Sequence, residues 1–241
     1  MSLQQPSAQP SDRSDIQDGV VGGGNSPEVS TAQLRRALAE ASAIVLDARP
    51  YEEYAVSHVP GAWAVRGMPG TTPALYVADV TAIVESLPDR EQPMIVYCNG
   101  LYCGRSERFA ADLAKAGYRN VRRYQLGAPG WRALGGVMQV EKPALLRLLE
   151  QDKTAVLIDG RTQAGGKPRL RNAVPIPLPE ASRAKDDGRL PMTDHNTRIL
   201  VVAGSGDEAR KVAEAIVRDA FHNVAYFDGS FADLGELLEE S

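Results

Sequence analysis

Only two cysteines occur in the 241 residues, too few for a disulfide-stapled scaffold or a four-thiolate zinc site. No window approaches the roughly 18 consecutive apolar residues of a membrane span, so no membrane partner is expected. A basic surplus is also missing: 27 Lys and Arg against 31 Asp and Glu leave a net charge of −4, which argues against a nucleic-acid partner. Of the three histidines, His195 and His222 lack neighbours that would complete a metal site, so no metal is expected. What is present is ordinary globular composition, 43% hydrophobic and 24% charged, in a chain long enough for two domains.

Residues 1–28 are rich in Gln, Ser, Pro, Asp and Gly and cannot bury enough surface to offset chain entropy. They read as a disordered arm. No basic region precedes an apolar stretch there, so a secretory signal is not expected and the cytoplasm is the expected compartment. A periplasmic location would require a signal removed before residue 1.

From Val29 onward the pattern is regular. Ser30 with Gln33 fits a capping box ahead of a helical stripe at Leu34, Ala37, Leu38 and Ala41. Ala43 to Leu46 and Met94 to Tyr97 are short apolar runs of buried-strand type, ending at Asp47 and Cys98. Phe109, Ala110, Leu113 and Ala116 form a second helical stripe that stops at Gly117, and Val121 to Tyr124 is a further strand. Strands alternating with helices predict an α/β fold with a parallel sheet covered on both faces.

The pattern then repeats. Val45-Leu46-Asp47-Ala48-Arg49 returns 112 residues later as Leu157-Ile158-Asp159-Gly160-Arg161, and Leu34 returns as Leu145. Ile95-Val96-Tyr97-Cys98 corresponds to Leu200-Val201-Val202-Ala203, and Asn120-Val121 to Asn223-Val224. The loop after Cys98 is two residues longer than the one after Ala203. Two domains of one fold are expected, at 29–137 and 138–241, each with the stripes of a full core, so that the second should fold alone.

Chemistry concentrates in Cys98-Asn99-Gly100-Leu101-Tyr102-Cys103-Gly104-Arg105-Ser106, between a strand end and a helix start. Strand ends of open parallel sheets are where ligands bind, and a loop entering a helix turns its N–H groups inward. A thiol in that cradle should be held as thiolate, with its pKa below the free value and with Arg105 adding a fixed positive charge. Asn99, Gly100, Leu101, Tyr102, Cys103 and Gly104 are the candidate substrate-binding residues, and Cys98 and Arg105 the candidate catalytic ones. His58 reads as a structural hydrogen-bonder, and Arg122-Arg123 as an ordinary solvated pair unless it flanks the pocket. For Cys103, a packing role and a role as resolving thiol both remain open.

Taken in order, Leu46-Asp47-Ala48-Arg49, the turn His58-Val59-Pro60-Gly61-Ala62, Val96-Tyr97-Cys98 with its loop to Ser106, and Asn120 through Trp131 resemble the rhodanese-like family. The resemblance implies two tandem rhodanese-like domains, each a mostly parallel sheet with helices on both faces. It implies that Cys98 carries sulfane sulfur as a persulfide, that residues 99–104 form its cradle, and that Asp47 and Arg49 support the loop. The implied partners are a small anionic donor such as thiosulfate and an acceptor that is cyanide, a thiol or a sulfur-carrier protein, with no cofactor. The loop departs from the family pattern by having seven residues between Cys98 and Ser106 where five are usual, so a wider pocket is expected. It also fails to match the Cys-x5-Arg spacing of the family's phosphatase branch. Phosphate hydrolysis or arsenate reduction is the alternative chemistry, and a non-enzymatic partner-binding or redox-sensing module the alternative role. The loop offers no general acid for phosphate chemistry, since Glu107 lies beyond Ser106. In the second domain Ala203 replaces the thiol and Asp207-Glu208 puts negative charge in the cradle, so that copy should be silent.

Overall fold

The computed structural model describes residues 26–163 and 169–238. The expectation for the arm therefore lies, up to residue 25, outside the described residues. Its last residues do not behave as an arm: Arg123 N–H donates to Pro27 O and Val29 N–H to Arg123 O, both at 2.8 Å, so 27–29 lies as an edge strand.

In the first domain four strands follow in the order β2-β1-β3-β4, with β1 Ile44–Asp47, β2 Trp63–Ala64, β3 Met94–Tyr97 and β4 Val121–Tyr124, all parallel. The second domain has five, β5-β9-β8-β6-β7, with β5 Met138–Val140, β6 Val156–Asp159, β7 Val174–Pro175, β8 Ile199–Val202 and β9 Val224–Phe227. The two sheets match once the 27–29 edge is counted: Glu28 bridges Arg123 as Gln139 pairs with Tyr226. The first strand of the repeat is thus visible in both copies. Sequence patterning missed it because three polar-flanked residues carry no alternation that a strand could be read from.

Helices cover both faces of each sheet. They are α1 Thr31–Ala39, α2 Tyr51–Val56, α3 Val80–Ser86, α4 Arg105–Lys115, α5 Gly127–Ala133, α6 Lys142–Gln151 and α7 Gly206–Val217. The expected capping box starts α1: Gln33 N–H donates to Ser30 Oγ and Gln33 Oε1 accepts from Ser30 N–H. Leu46, Val96, Phe109 and Leu113 form the core beneath α4, and Ile158, Val201, Val212 and Ile216 the equivalent core beneath α7.

The opposite faces of the two sheets do not form separate cores. Leu34, Val45 and Val59 of the first domain and Met138, Leu145, Leu157 and Leu200 of the second belong to one buried cluster. Backbone bonds join the domains as well: His58 exchanges N–H and C=O with Gln139 at 3.0 and 2.8 Å, and Glu141 N–H donates to Ala55 O at 2.8 Å. Cutting the chain at 137/138 would expose a core face of the second domain that the first domain covers.

Candidate functional site

β3 delivers Cys98 to the carboxyl edge of the sheet, and the loop 99–104 leads into α4. The base of the site is a buried ion pair. Arg49 donates to Asp47 through Nε (2.8 Å) and Nη2 (2.6 Å) and to Ser57 O through Nη2 (2.7 Å). Tyr97, the residue before Cys98, donates its hydroxyl to Asp47 at 2.6 Å and accepts from Val59 N–H at 3.0 Å. The ends of β1 and β3 and the turn at 57–59 are thereby tied together under the loop. His58 sits in that turn with Nδ1 3.0 Å from Tyr54 O and its ring stacked on Tyr54, and burial pushes its pKa down to about 4.

The loop is curled. Gly100 adopts φ +95°, a conformation that favours glycine, and its carbonyl accepts from Cys103 N–H at 3.0 Å. Gly127 closes the loop from below: a Cβ there would lie 2.3 Å from Cys98 O and 2.4 Å from Gly100 N. The curl places Cys98 Sγ 3.1 Å from Cys103 O and 3.2 Å from Ser106 Oγ, with Cys98 1% exposed.

Two thiols therefore share one cradle, and this corrects the expectation for Cys98. A hydrogen bond between the two thiols and burial push the Cys98 pKa up, against the lowering effect of Ser106. The same thiol contact pulls Cys103 down, helped by backbone N–H groups of Asn99 and Arg105 and by the Arg105 charge. The two thiols titrate as a coupled pair, with Cys98 pushed up and Cys103 pulled down.

The other candidates divide between two sides of the loop. Leu101, Tyr102, Cys103 and Gly104 line a cavity of about 220 Å³ together with Glu107, Arg123 and Gln125, and Tyr102 itself stands fully in solvent. Asn99 and Arg105 turn the other way, to Glu53 on α2: Asn99 Nδ2 donates to one carboxylate oxygen (2.5 Å) and Arg105 Nη1 to the other (3.1 Å). The charge of Arg105 is thus already paired rather than aimed at an open anion site. Glu53 was not anticipated, and nothing in its sequence surroundings distinguishes it from an ordinary helix-start acid. Arg123, read as part of a solvated pair, is 3% exposed, whereas Arg122 is exposed as expected. A larger cavity, about 1010 Å³, lies between the domains, with Arg35, Trp131, Arg210 and Asp228 in its wall and neither cysteine.

In the second domain the equivalent loop is filled by its own side chain. Glu208 accepts from Gly204 N–H (3.0 Å), Thr162 N–H (3.1 Å) and Thr162 Oγ1 (3.0 Å). A carboxylate occupies the place of an anion there. Among the described residues no group of three or more His, Cys, Asp or Glu side chains is placed to hold a metal, and no helix is long and apolar enough to cross a membrane.

A protein-family profile described as the Rhodanese-like domain matches this chain twice, at residues 30–134 and 142–236. A curated relative, the HTH-type transcriptional regulator Rv0324 of Mycobacterium tuberculosis, is 32% identical over 112 residues, 46% of this chain and 44% of the regulator. Among solved structures, the thiosulfate sulfurtransferase of Pseudomonas aeruginosa is 19% identical with a TM-score of 0.39, over 89% of this chain and 43% of that one. SseA of Escherichia coli, described among 3-mercaptopyruvate sulfotransferases, is 19% identical with a TM-score of 0.38, over 86% of this chain and 99% of that one. This chain thus spans less than half the length of the first two.

Proposed function

Because the chain belongs to the rhodanese-like domain family, in two tandem copies, we propose that it is a sulfurtransferase whose first domain carries sulfane sulfur on Cys98. The observation that carries this reading is Cys98 at a strand end, its Sγ 3.1 Å from Cys103 O and 3.2 Å from Ser106 Oγ, inside a loop that opens a helix and holds a second thiol. A dithiol in an amide cradle suits chemistry in which sulfur is both nucleophile and leaving group.

The pair supplies its own proton acceptor. Passing the Cys98 proton to the Cys103 thiolate leaves the negative charge on Cys98, beside the Ser106 hydroxyl at the start of α4. That thiolate attacks the outer sulfur of a thiosulfate-type donor. The donor's S–S bond breaks and sulfite leaves with the bonding pair. A thiol or cyanide acceptor, free or on a sulfur-carrier protein, then attacks the outer sulfur of the Cys98 persulfide and returns Cys98 as thiolate. Asp47 and Arg49 act as positioning residues through Tyr97. The second domain, with Ala203 in place of the thiol and Glu208 in its cradle, takes no part in the transfer.

Intact-mass analysis after thiosulfate treatment tests the reading. The expected gain is one sulfur, about 32 Da, lost in Cys98→Ser and kept in Cys103→Ser. A gain that persists in Cys98→Ser moves the carrier to Cys103. No gain in the wild-type protein with either thiosulfate or 3-mercaptopyruvate removes sulfur transfer altogether.

A further inference from the structure

Arg123 occupies a position where a charge is expensive. Along β4, Val121 and Arg123 point beneath α4 while Arg122 points to solvent. Burying a guanidinium is costly unless its donors are met. Yet Arg123 Nε and Nη1 are buried without a hydrogen-bond partner. The nearest carboxylate, Glu107 Oε2, is 3.7 Å from Nη1, beyond hydrogen-bond length, and the Glu107 side chain is half exposed. Glu28, alongside, is itself desolvated, which raises its pKa against the lowering effect of Arg123. Packing does not require the charge: the second domain places Tyr226 at this position, paired with Val201 as Arg123 is with Val96.

Arg123 also lines the cavity of about 220 Å³ onto which Cys103 opens, and Gly104, the N-cap of α4, lines the same space. Arg123, a fixed cation with two unmet donors, thus lines one volume suited to a small molecule together with a helix N-terminus and a thiol. We propose that this cavity binds the oxyanion head of the sulfur donor. Arg123 Nε and Nη1 donate to two oxygens of a tetrahedral sulfonate-type anion, whose sulfane sulfur then lies toward the thiol pair. Glu107 is the internal competitor, near enough to balance the charge of the empty site and exposed enough to swing out. The assignment to a sulfur donor rests on the sulfurtransferase reading, whereas anion binding itself is measurable without turnover.

Sulfate, a donor-shaped anion with no sulfur to give, is the probe. Cys103 alkylation by iodoacetamide is followed by peptide mapping as sulfate replaces chloride at constant ionic strength. Saturable protection is expected in the wild-type protein. It should be at least tenfold weaker in Arg123→Tyr, which installs the residue the second domain already accommodates. Arg123→Lys should restore part of it, Glu107→Gln should strengthen it several-fold, and Arg122→Met should leave it unchanged. Absent protection in the wild type, equal protection in Arg123→Tyr, or weaker protection in Glu107→Gln overturns the proposal. Single-turnover sulfur uptake separates the two readings. If sulfate protection follows Arg123 but no sulfur is taken up, the anion site stands and sulfur transfer falls. If uptake proceeds with the same thiosulfate dependence in Arg123→Tyr, the anion site falls and sulfur transfer stands.

Discussion

Replacing Arg49 with Met should cost more stability than any surface change in this protein. Asp47 is fully buried and Arg49 is 4% exposed. The substitution removes the Nε and Nη2 bonds to Asp47 at 2.8 and 2.6 Å, the bond to Ser57 O, and the cation itself. The Asp47 carboxylate would then keep only the Tyr97 hydroxyl and the residue-49 backbone N–H. Stranding one member of a buried pair costs about 3–5 kcal/mol. At about 2–4 °C per kcal/mol for a chain of this size, the melting temperature should fall by roughly 6–20 °C. The second domain provides the control. Its Asp159–Arg161 pair has nearly the same bond lengths, but the Arg161 side chain is 16% exposed, so Arg161→Met should cost less. The double variant Asp47→Leu/Arg49→Leu should recover most of the loss, because no charge remains buried. Urea unfolding followed by circular dichroism gives these differences from the midpoints, provided that the slopes agree. An Arg49→Met protein within about 1 kcal/mol of wild type would refute the argument that this pair is desolvated and uncompensated.

Three further outcomes are expected. At neutral pH iodoacetamide should label Cys103 before Cys98, and Cys103→Ser should lower the pH at which Cys98 becomes reactive, since the thiol contact that pushes Cys98 up is gone; an unchanged Cys98 profile would show that the pair is not coupled. In a chain lacking both native thiols, Ala203→Cys should react slowly, and adding Glu208→Gln should speed it about tenfold by removing a charge that costs on the order of one pKa unit; equal rates would show that the carboxylate is not what silences the loop. His58, held down to about 4 against an ordinary 6.5, is protonated in the unfolded chain before the folded one, so stability should fall by about 3 kcal/mol as pH drops through that interval. The same pH slope in His58→Gln would assign the loss to other groups.

What could be read from the sequence was what local pattern dictates. The capping box at Ser30, the stripe on α4 and the strand ahead of Cys98 each follow from residues within one turn or one pleat, and each is present in the structure. The repeat extended that legibility, since matching Asp47 to Asp159 marks the end of β1 and of β6 together. Pairing between distant segments left no such trace. Pro27 and Glu28 look like arm, and only their bonds to Arg123 make them strand. Glu53 looks like any helix-start acid until Asn99 and Arg105 are seen on it. Arg123 was misread because two adjacent arginines suggest solvent, although period-two geometry sends one of any adjacent strand pair inward.

The duplicated chain separates fold from chemistry within one molecule. Features kept in both copies, namely the sheet order and the Asp-Arg pair at the strand end, are those that packing requires. Features that differ gather at one edge: Cys98 against Ala203, Arg123 against Tyr226, and a loop open to a cavity against one closed by Glu208. Where the first domain buries Arg123 with unmet donors, the second places Tyr226, which has no charge to desolvate. The second domain cannot simply be lost, however. Met138, Leu145, Leu157 and Leu200 complete the core that holds Leu34, Val45 and Val59, and β5 bonds to the His58 turn. That turn accepts Arg49 at Ser57 and anchors Tyr97 at Val59, one residue from the thiol. The second domain thus bears on the Cys98 loop by holding its base in place.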